Sequence, residues 1–248
     1  MLPQIRASLR ANVRSDAPRV GPFLLRLDPD DAGPFRNYAV PEDDAEPTPA
    51  EVAALIAAFA ERDRTPRAEF VGPQPAVCAA LAAAGFRVEV RLPLMAATRA
   101  QLRPREIPEL GTGALHVAEA VSAADLEAAA LVQNIAYGVG EVVGAADVDR
   151  LRATRADGGA VVLASHAGRP AGAGLFMAPH AGFAQLAAVG VHPDLRRRGI
   201  ASAIAADLTL RVLDAGAVPY LETESRNERS LYGALGYTTL GEMVVLSR

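Results

Sequence analysis

Apolar positions along the chain switch between two periods. Ile200, Ile204, Leu208 and Val212 recur every four residues and predict one buried stripe on a helix over 199–213. Val52, Leu55, Ile56 and Phe59 predict a second helix, opened by Thr48-Pro49-Ala50-Glu51, a capping-box pattern with proline at the first helical position. Phe86, Val88, Val90 and Leu92 alternate with Arg87, Glu89 and Arg91, which predicts a half-buried strand. Further strands are expected at 23–27, 35–40 and 68–71, and a helix over 75–84 that stops at Gly85. Residues 99–114, with Pro104, Pro108, Gly111 and Gly113, read as a connection. Beyond it the pattern gives a strand at 115–120, a helix from Ser122 to Tyr137, a shorter helix at 145–153, and a hairpin of 160–165 and 171–177. A strand at 183–191, the helix at 199–213, a strand at 219–223, a short helix at 230–235 and a strand at 238–246 complete the chain.

The two halves echo each other. Each ends in a short helix, a glycine followed by an aromatic residue, and a long strand. Gly85 matches Gly236, an offset of 236 − 85 = 151 residues. The expected organisation is an α/β (α+β) chain with a first domain at 1–98, a connection at 99–114 and a second domain at 115–248.

Composition removes several function classes. The 248 residues carry a formal charge of −4, which argues against general nucleic-acid binding. All 25 basic residues are arginine, so no lysine can act as base or Schiff-base former. One cysteine, Cys78, excludes an internal disulfide, and its Ala-rich surroundings suit a small buried apolar residue. No apolar run is long enough to span a bilayer, and the first residues lack the apolar core of a secretory signal. A soluble, cytoplasmic protein is expected. His116, His166 and His180 show no metal-ligand spacing, His192 reads as a turn residue, and no metal is expected. The Gly-x-Gly of 171–174 precedes a strand rather than a helix, so it is not a dinucleotide fingerprint.

Chemistry concentrates at Val189–Ile204, where a β-branched strand, the turn His192-Pro193-Asp194 and three arginines lead into a helix. Free N–H groups and the helix dipole make that N-terminus positive, and Gly199 admits close backbone approach. Donors converging on one point suit a diphosphate better than an extended nucleic-acid backbone. Arg196-Arg197-Arg198-Gly199-Ile200-Ala201 resembles the R/Q-x-x-G-x-G/A signature of the GCN5-related N-acetyltransferases (GNATs), and "LETESRNERSLYGALGY" downstream resembles that family's second motif. The resemblance spans roughly 115–248. The first half resembles only the family's later elements, in degenerate form.

The resemblance implies two GNAT-like mixed, mostly antiparallel sheets flanked by helices, the first incomplete. It implies acetyl-CoA as co-substrate and direct attack of an amine in a ternary complex. Cofactor contacts are then expected at Val189 and Val191 through backbone groups, at Arg196, Arg197, Arg198, Gly199, Ile200, Ala201 and Ser202 around the phosphates, and at Asn227 and Tyr232. Asn227 is otherwise a helix cap. Tyr232 stands where many relatives carry a general acid for the departing thiolate. Some relatives place a glutamate on the strand at 183–191, but Gln185 stands there, so Glu222 or Glu224 becomes the alternative base. Acceptor contacts are expected from Tyr137 and Glu141. The first half lacks a counterpart of the arginine turn, and 232 − 151 = 81 is Leu81, so no activity is expected there. The expected partners are a small-molecule or peptide amine and, as an open alternative, a second copy of the chain. The competing reading is an acyl-CoA-holding sensor without turnover.

Overall fold

The computed structural model describes residues 1–13, 17–29, 31–103 and 113–248; Arg14 and residues 104–112 of the expected connection lie outside them. Packing divides the chain into two units. One comprises Met1–Met95, Glu222–Glu224 and Thr239–Arg248, the other Ala96–Leu221 and Ser225–Thr238.

The first unit holds α1 (Leu2–Asn12), α2 (Pro49–Ala60) and α3 (Pro75–Ala83) with strands β1 (Arg19–Val20), β2 (Phe23–Arg26), β3 (Tyr38–Pro41), β4 (Arg67–Val71) and β5 (Arg87–Ala96). The chain's last strand, β11 (Thr238–Ser247), lies between β4 and β5 and pairs antiparallel with β4. Strands β3 and β4 pair in parallel, through Ala39 and Ala68. The core beneath this sheet joins Phe23, Leu25, Val52, Leu55, Phe59, Phe70, Leu81 and Val244. Helix α1 was not legible as an amphipathic stripe. Ile5 and Leu9 bury, while Arg6 donates to the carbonyls of Val71 and Pro73 at 3.1 and 3.0 Å. Two further expectations change. The strand at 35–40 begins only at Tyr38, after a single 3₁₀ turn at Pro34–Arg36. The alternation at 86–92 does not produce a half-buried strand: Arg87–Arg91 are all exposed, Val88 by 47% and Val90 by 36%. Alternation selects a face, but burial requires a layer above it.

The second unit holds α4 (Ala123–Ala136), α5 (Ala145–Ala156), α6 (Ile200–Asp214) and α7 (Arg226–Leu235) with β6 (Leu115–Glu119), β7 (Ala160–His166), β8 (Arg169–Phe176), β9 (Phe183–Val191) and β10 (Val218–Glu222). Strand order is β10-β9-β8-β7-β6, antiparallel except for the parallel pair β10/β9. The β7–β8 turn places Ala167 and Gly168 at φ +48° and +74°, the geometry a two-residue hairpin requires. The α6 stripe is buried as expected, with Ile200, Ile204, Leu208 and Val212 each at most 1% exposed. It packs on Gly172 and Gly174 of β8, where an added Cβ would lie 2.8 Å from Ile204 and 2.9 Å from Leu208. That contact is the use of the Gly-x-Gly.

One spacing recurs through the chain. Strand β4 at 67–71 and β10 at 218–222 differ by 151 residues at both ends, as do β5 at 87–96 and β11 at 238–247. Helices α2 and α6 start 200 − 49 = 151 residues apart. Gly85 and Gly236 both take left-handed φ, +90° and +106°.

Candidate functional site

The site starts from a parting of strands. Strand β9 pairs with β10 only through Phe183–Gln185 and Val218–Tyr220, then runs on to Val191. On its other edge β9 carries a bulge. Ala173 faces Gly190 and Leu175 faces Ala187, so two residues of β8 span three of β9. The extra residue is absorbed at Ala188, φ +53°, a conformation that costs a non-glycine residue about 1–2 kcal/mol. Its carbonyl accepts a 3.0 Å hydrogen bond from the Gln133 side chain on α4. Helix α4 comes this close because the facing residue is Gly190, whose Cβ would lie 2.8 Å from that of Ala136.

After β9 the chain makes one 3₁₀ turn, Pro193–Leu195, capped by His192. Arg197 and Gly199 then take φ +64° and +82°, turning successive N–H groups toward one side as in an anion nest. The first intrahelical bond of α6 runs from Ala203 N–H to Gly199 O at 3.0 Å, so the N–H groups of Ile200, Ala201 and Ser202 lie outside the helical ladder. The donor set fits a diphosphate. The three arginines divide their work. Arg196 turns inward, its Nε donating to Val191 O at 3.2 Å and its Nη2 to Ala136 O at 2.8 Å, and so ties the turn to β9 and α4. All three remain exposed to solvent. Ile200 is buried and can offer a ligand only its backbone.

Helix α2, at the matching position of the first unit, shows the contrast. Its N-terminus is filled from within: the Glu51 carboxylate accepts from Thr48 N–H and Oγ1, both at 2.8 Å, and Thr48 Oγ1 accepts from Glu51 N–H at 3.3 Å. Those bonds hold the Glu51 carboxyl below the usual range. The preceding loop carries Glu42, Asp43, Asp44 and Glu46. An internal carboxylate and an acidic loop oppose binding of a phosphate there.

Tyr232 lies on α7, 8% exposed, with its ring edge-to-face to Tyr237 at 5.5 Å between centroids. Tyr237 N–H donates to Tyr232 O at 3.0 Å, and the Tyr237 hydroxyl bonds to Thr209 of α6 at 2.8 Å. Burial pushes the Tyr237 phenol well above its ordinary pKa. The cap of α7 is not Asn227 but Ser225, whose Oγ accepts from Glu228 N–H at 3.2 Å; Asn227 sits exposed in the first turn. The helix starts at Arg226, earlier than expected, because that serine provides the cap.

Tyr137 and Glu141 are exposed on the loop between α4 and α5, beside Val139 and Val142, which are 74% and 82% exposed. Asn134 organises the loop, accepting from Val139 N–H at 2.8 Å through its backbone and donating its side chain to Val142 O at 3.0 Å. Asp147 accepts from Gly144 N–H at 2.8 Å and also bonds Asn134 and Arg150. Burial opposes its ionisation, but these donors outweigh burial and its carboxyl lies below the usual range. Glu222 and Glu224 belong to the stretch that packs with the first unit, Glu222 at the end of β10. Sequence reasoning missed Gln133, Asn134 and Thr209; none belongs to a motif, and only the fold brings them to the site. Among the described residues, no group of three or more His, Cys, Asp or Glu side chains could hold a metal, and no helix is long and apolar enough to cross a membrane.

Residues 126–237 match the model of the Acetyltransferase (GNAT) family. The whole chain superposes on a GCN5-related N-acetyltransferase from Kribbella flavida, with a TM-score of 0.77 and 26% identity over 100% of this chain and 95% of that one. A GCN5-related N-acetyltransferase from Sphaerobacter thermophilus gives 0.67 and 17% identity, over 100% and 90%. A tandem GNAT protein from the clavulanic acid biosynthesis pathway gives 0.64 and 18%, over 95% and 80%. No curated protein matches the chain. The chain therefore has the mixed α/β fold of its GNAT neighbours.

Proposed function

We propose that this protein is a GNAT acetyltransferase that moves the acetyl group of acetyl-CoA to a primary amine of a small molecule or peptide. The observation that carries the reading is the turn at Arg197–Ser202, a nest of backbone donors at the open N-terminus of α6, next to a strand that parts from its neighbour. In this reading the diphosphate sits on the α6 N-terminus, and the pantetheine arm runs along Val189–Val191. The Val189 N–H, released by the bulge, donates to the thioester carbonyl and to the oxyanion that develops from it. A neutral amine attacks the carbonyl carbon, the C–S bond breaks, and the thiolate takes a proton from the Tyr232 hydroxyl while the amine gives one up. With Gln185 on the strand, that second proton leaves through Glu222 or water. Tyr137 and Glu141 face the acceptor.

The first half, with its α2 N-terminus self-capped by Glu51, is read as a degenerate duplicate at 1–98 that binds no cofactor; the recurring 151-residue spacing supports this. The absence of a carboxylate at Gln185 favours a second reading, an acyl-CoA sensor without turnover. Thiol release from acetyl-CoA, followed against a panel of amines, separates the two. Amine-dependent release supports the enzyme, CoA binding without release against any amine supports the sensor, and absence of CoA binding by calorimetry overturns both.

A further inference from the structure

We infer that Gln133 is a positioning residue for acyl transfer, fixing the direction of the backbone donor at Val189; this rests on the acyl-CoA reading above. The peptide between Ala188 and Val189 is trans, so its C=O and N–H point in opposite directions. Gln133 Nε2 holds the Ala188 carbonyl at 3.0 Å and therefore also sets the Val189 N–H, turning it away from α4.

The peptide needs such a hold. Ala188 is in the left-handed region at φ +53°, in a bulge where β9 has one residue more than β8 requires. An alanine there relaxes toward extended backbone once the restraint is removed. On the opposite edge β9 has already left β10 at Gln185, so pairing on that side does not restrain it. Gly190 completes the device. Its missing Cβ lets Ala136 and the Gln133 backbone approach β9, bringing the amide within reach of the bulge. Gln133 and Ala136 lie three residues apart on α4. One anchors the bulge, and the other, through its carbonyl, anchors Arg196 of the phosphate turn. The last turn of α4 thus sets the relation between the diphosphate and the thioester carbonyl.

A glutamine that merely satisfied a half-buried carbonyl would affect all ligands alike. A positioning glutamine affects only ligands that carry the carbonyl. The test compares wild type with Gln133→Leu, which keeps the side-chain bulk and removes the donor. Binding is measured by calorimetry for CoA and for a ketone analogue of acetyl-CoA in which a methylene separates sulfur from carbonyl. Turnover is measured with acetyl-CoA and the best amine. The expected result is a kcat lower by about 100-fold, the lower end of what loss of one oxyanion donor costs. CoA affinity stays within about 2-fold of wild type, while analogue affinity falls about 5-fold or more, toward that of CoA. Retained CoA binding also shows that the variant is folded. Gly190→Ala, which pushes α4 off the strand, should also lower kcat and analogue affinity, and it should weaken CoA as well because it shifts the Ala136 carbonyl that holds Arg196. A Gln133→Leu protein that keeps wild-type kcat, or that loses CoA and analogue affinity equally, overturns the inference alone. A wild-type protein that binds neither ligand overturns the acyl-CoA reading and this inference with it.

Discussion

Arg196→Met separates backbone grip from side-chain charge at the phosphate turn. The substitution preserves the aliphatic stem and removes two hydrogen bonds, to Val191 O at 3.2 Å and Ala136 O at 2.8 Å. A hydrogen bond from a charged donor contributes about 1.5–3 kcal/mol. Arg196 is exposed, so solvent reduces this to about 1 kcal/mol per bond, or about 2 kcal/mol in all. Arg197 and Gly199 hold the turn at left-handed φ, and the untied turn has little to keep it in that shape. If CoA binds only the nested conformation, that energy reappears as a population cost and weakens CoA about 30-fold. Arg197→Met and Arg198→Met remove charge without releasing the turn, so each should cost less than about 5-fold and lose its effect in high salt. Calorimetry with CoA at two ionic strengths reads all three. If Arg196→Met binds as wild type while Arg197→Met or Arg198→Met abolishes binding, the grip is side-chain charge and the reasoning from the nest is refuted.

Tyr232→Phe should lower kcat by about 10²-fold or more, the range of one general acid, with CoA affinity unchanged; unchanged turnover in a single-turnover assay would reduce Tyr232 to a packing residue. The Asp147 carboxyl lies below its ordinary range, so it contributes stability above the unfolded value of about 4 and loses it as pH falls through the folded value. Exchange protection of the Tyr137–Gly144 amides, corrected for the intrinsic pH dependence of exchange, should therefore fall on acidification below about pH 4, and Asp147→Asn should remove most of that dependence. A loop whose exchange protection is flat across the same acid range would show that Asp147 does not hold it.

Much of the fold was legible because it is local. The α6 stripe, the Thr48 capping box and the Ser122 helix start are written in spacings of three to four residues, and each forms where it was read; the hairpin forms too, with a tighter turn at Ala167-Gly168 than the five residues expected between its strands. The 151-residue echo was legible at one glycine pair and extends in the structure to two strand pairs and a helix start. The errors share a cause. Asn227 and Ser225 are both competent caps, and chain geometry chose Ser225. Val88 and Val90 alternate correctly but lack a covering layer.

The sequence by itself determined where a helix N-terminus opens behind a glycine, because that is a property of consecutive residues. It did not determine which arginine turns inward. Arg196 looked equivalent to its neighbours, and only the carbonyls of Val191 and Ala136, the second 60 residues away, turned it inward. Nor could it show the bulge at Ala188, which exists because β9 must match a shorter span of β8, or the hold of Gln133, 55 residues away. Periodicity encodes which way a side chain points; which carbonyl or strand it meets depends on contacts between distant segments, and those form only when the chain packs. The same holds for β11, whose sequence follows the second half but whose packing lies with the first unit.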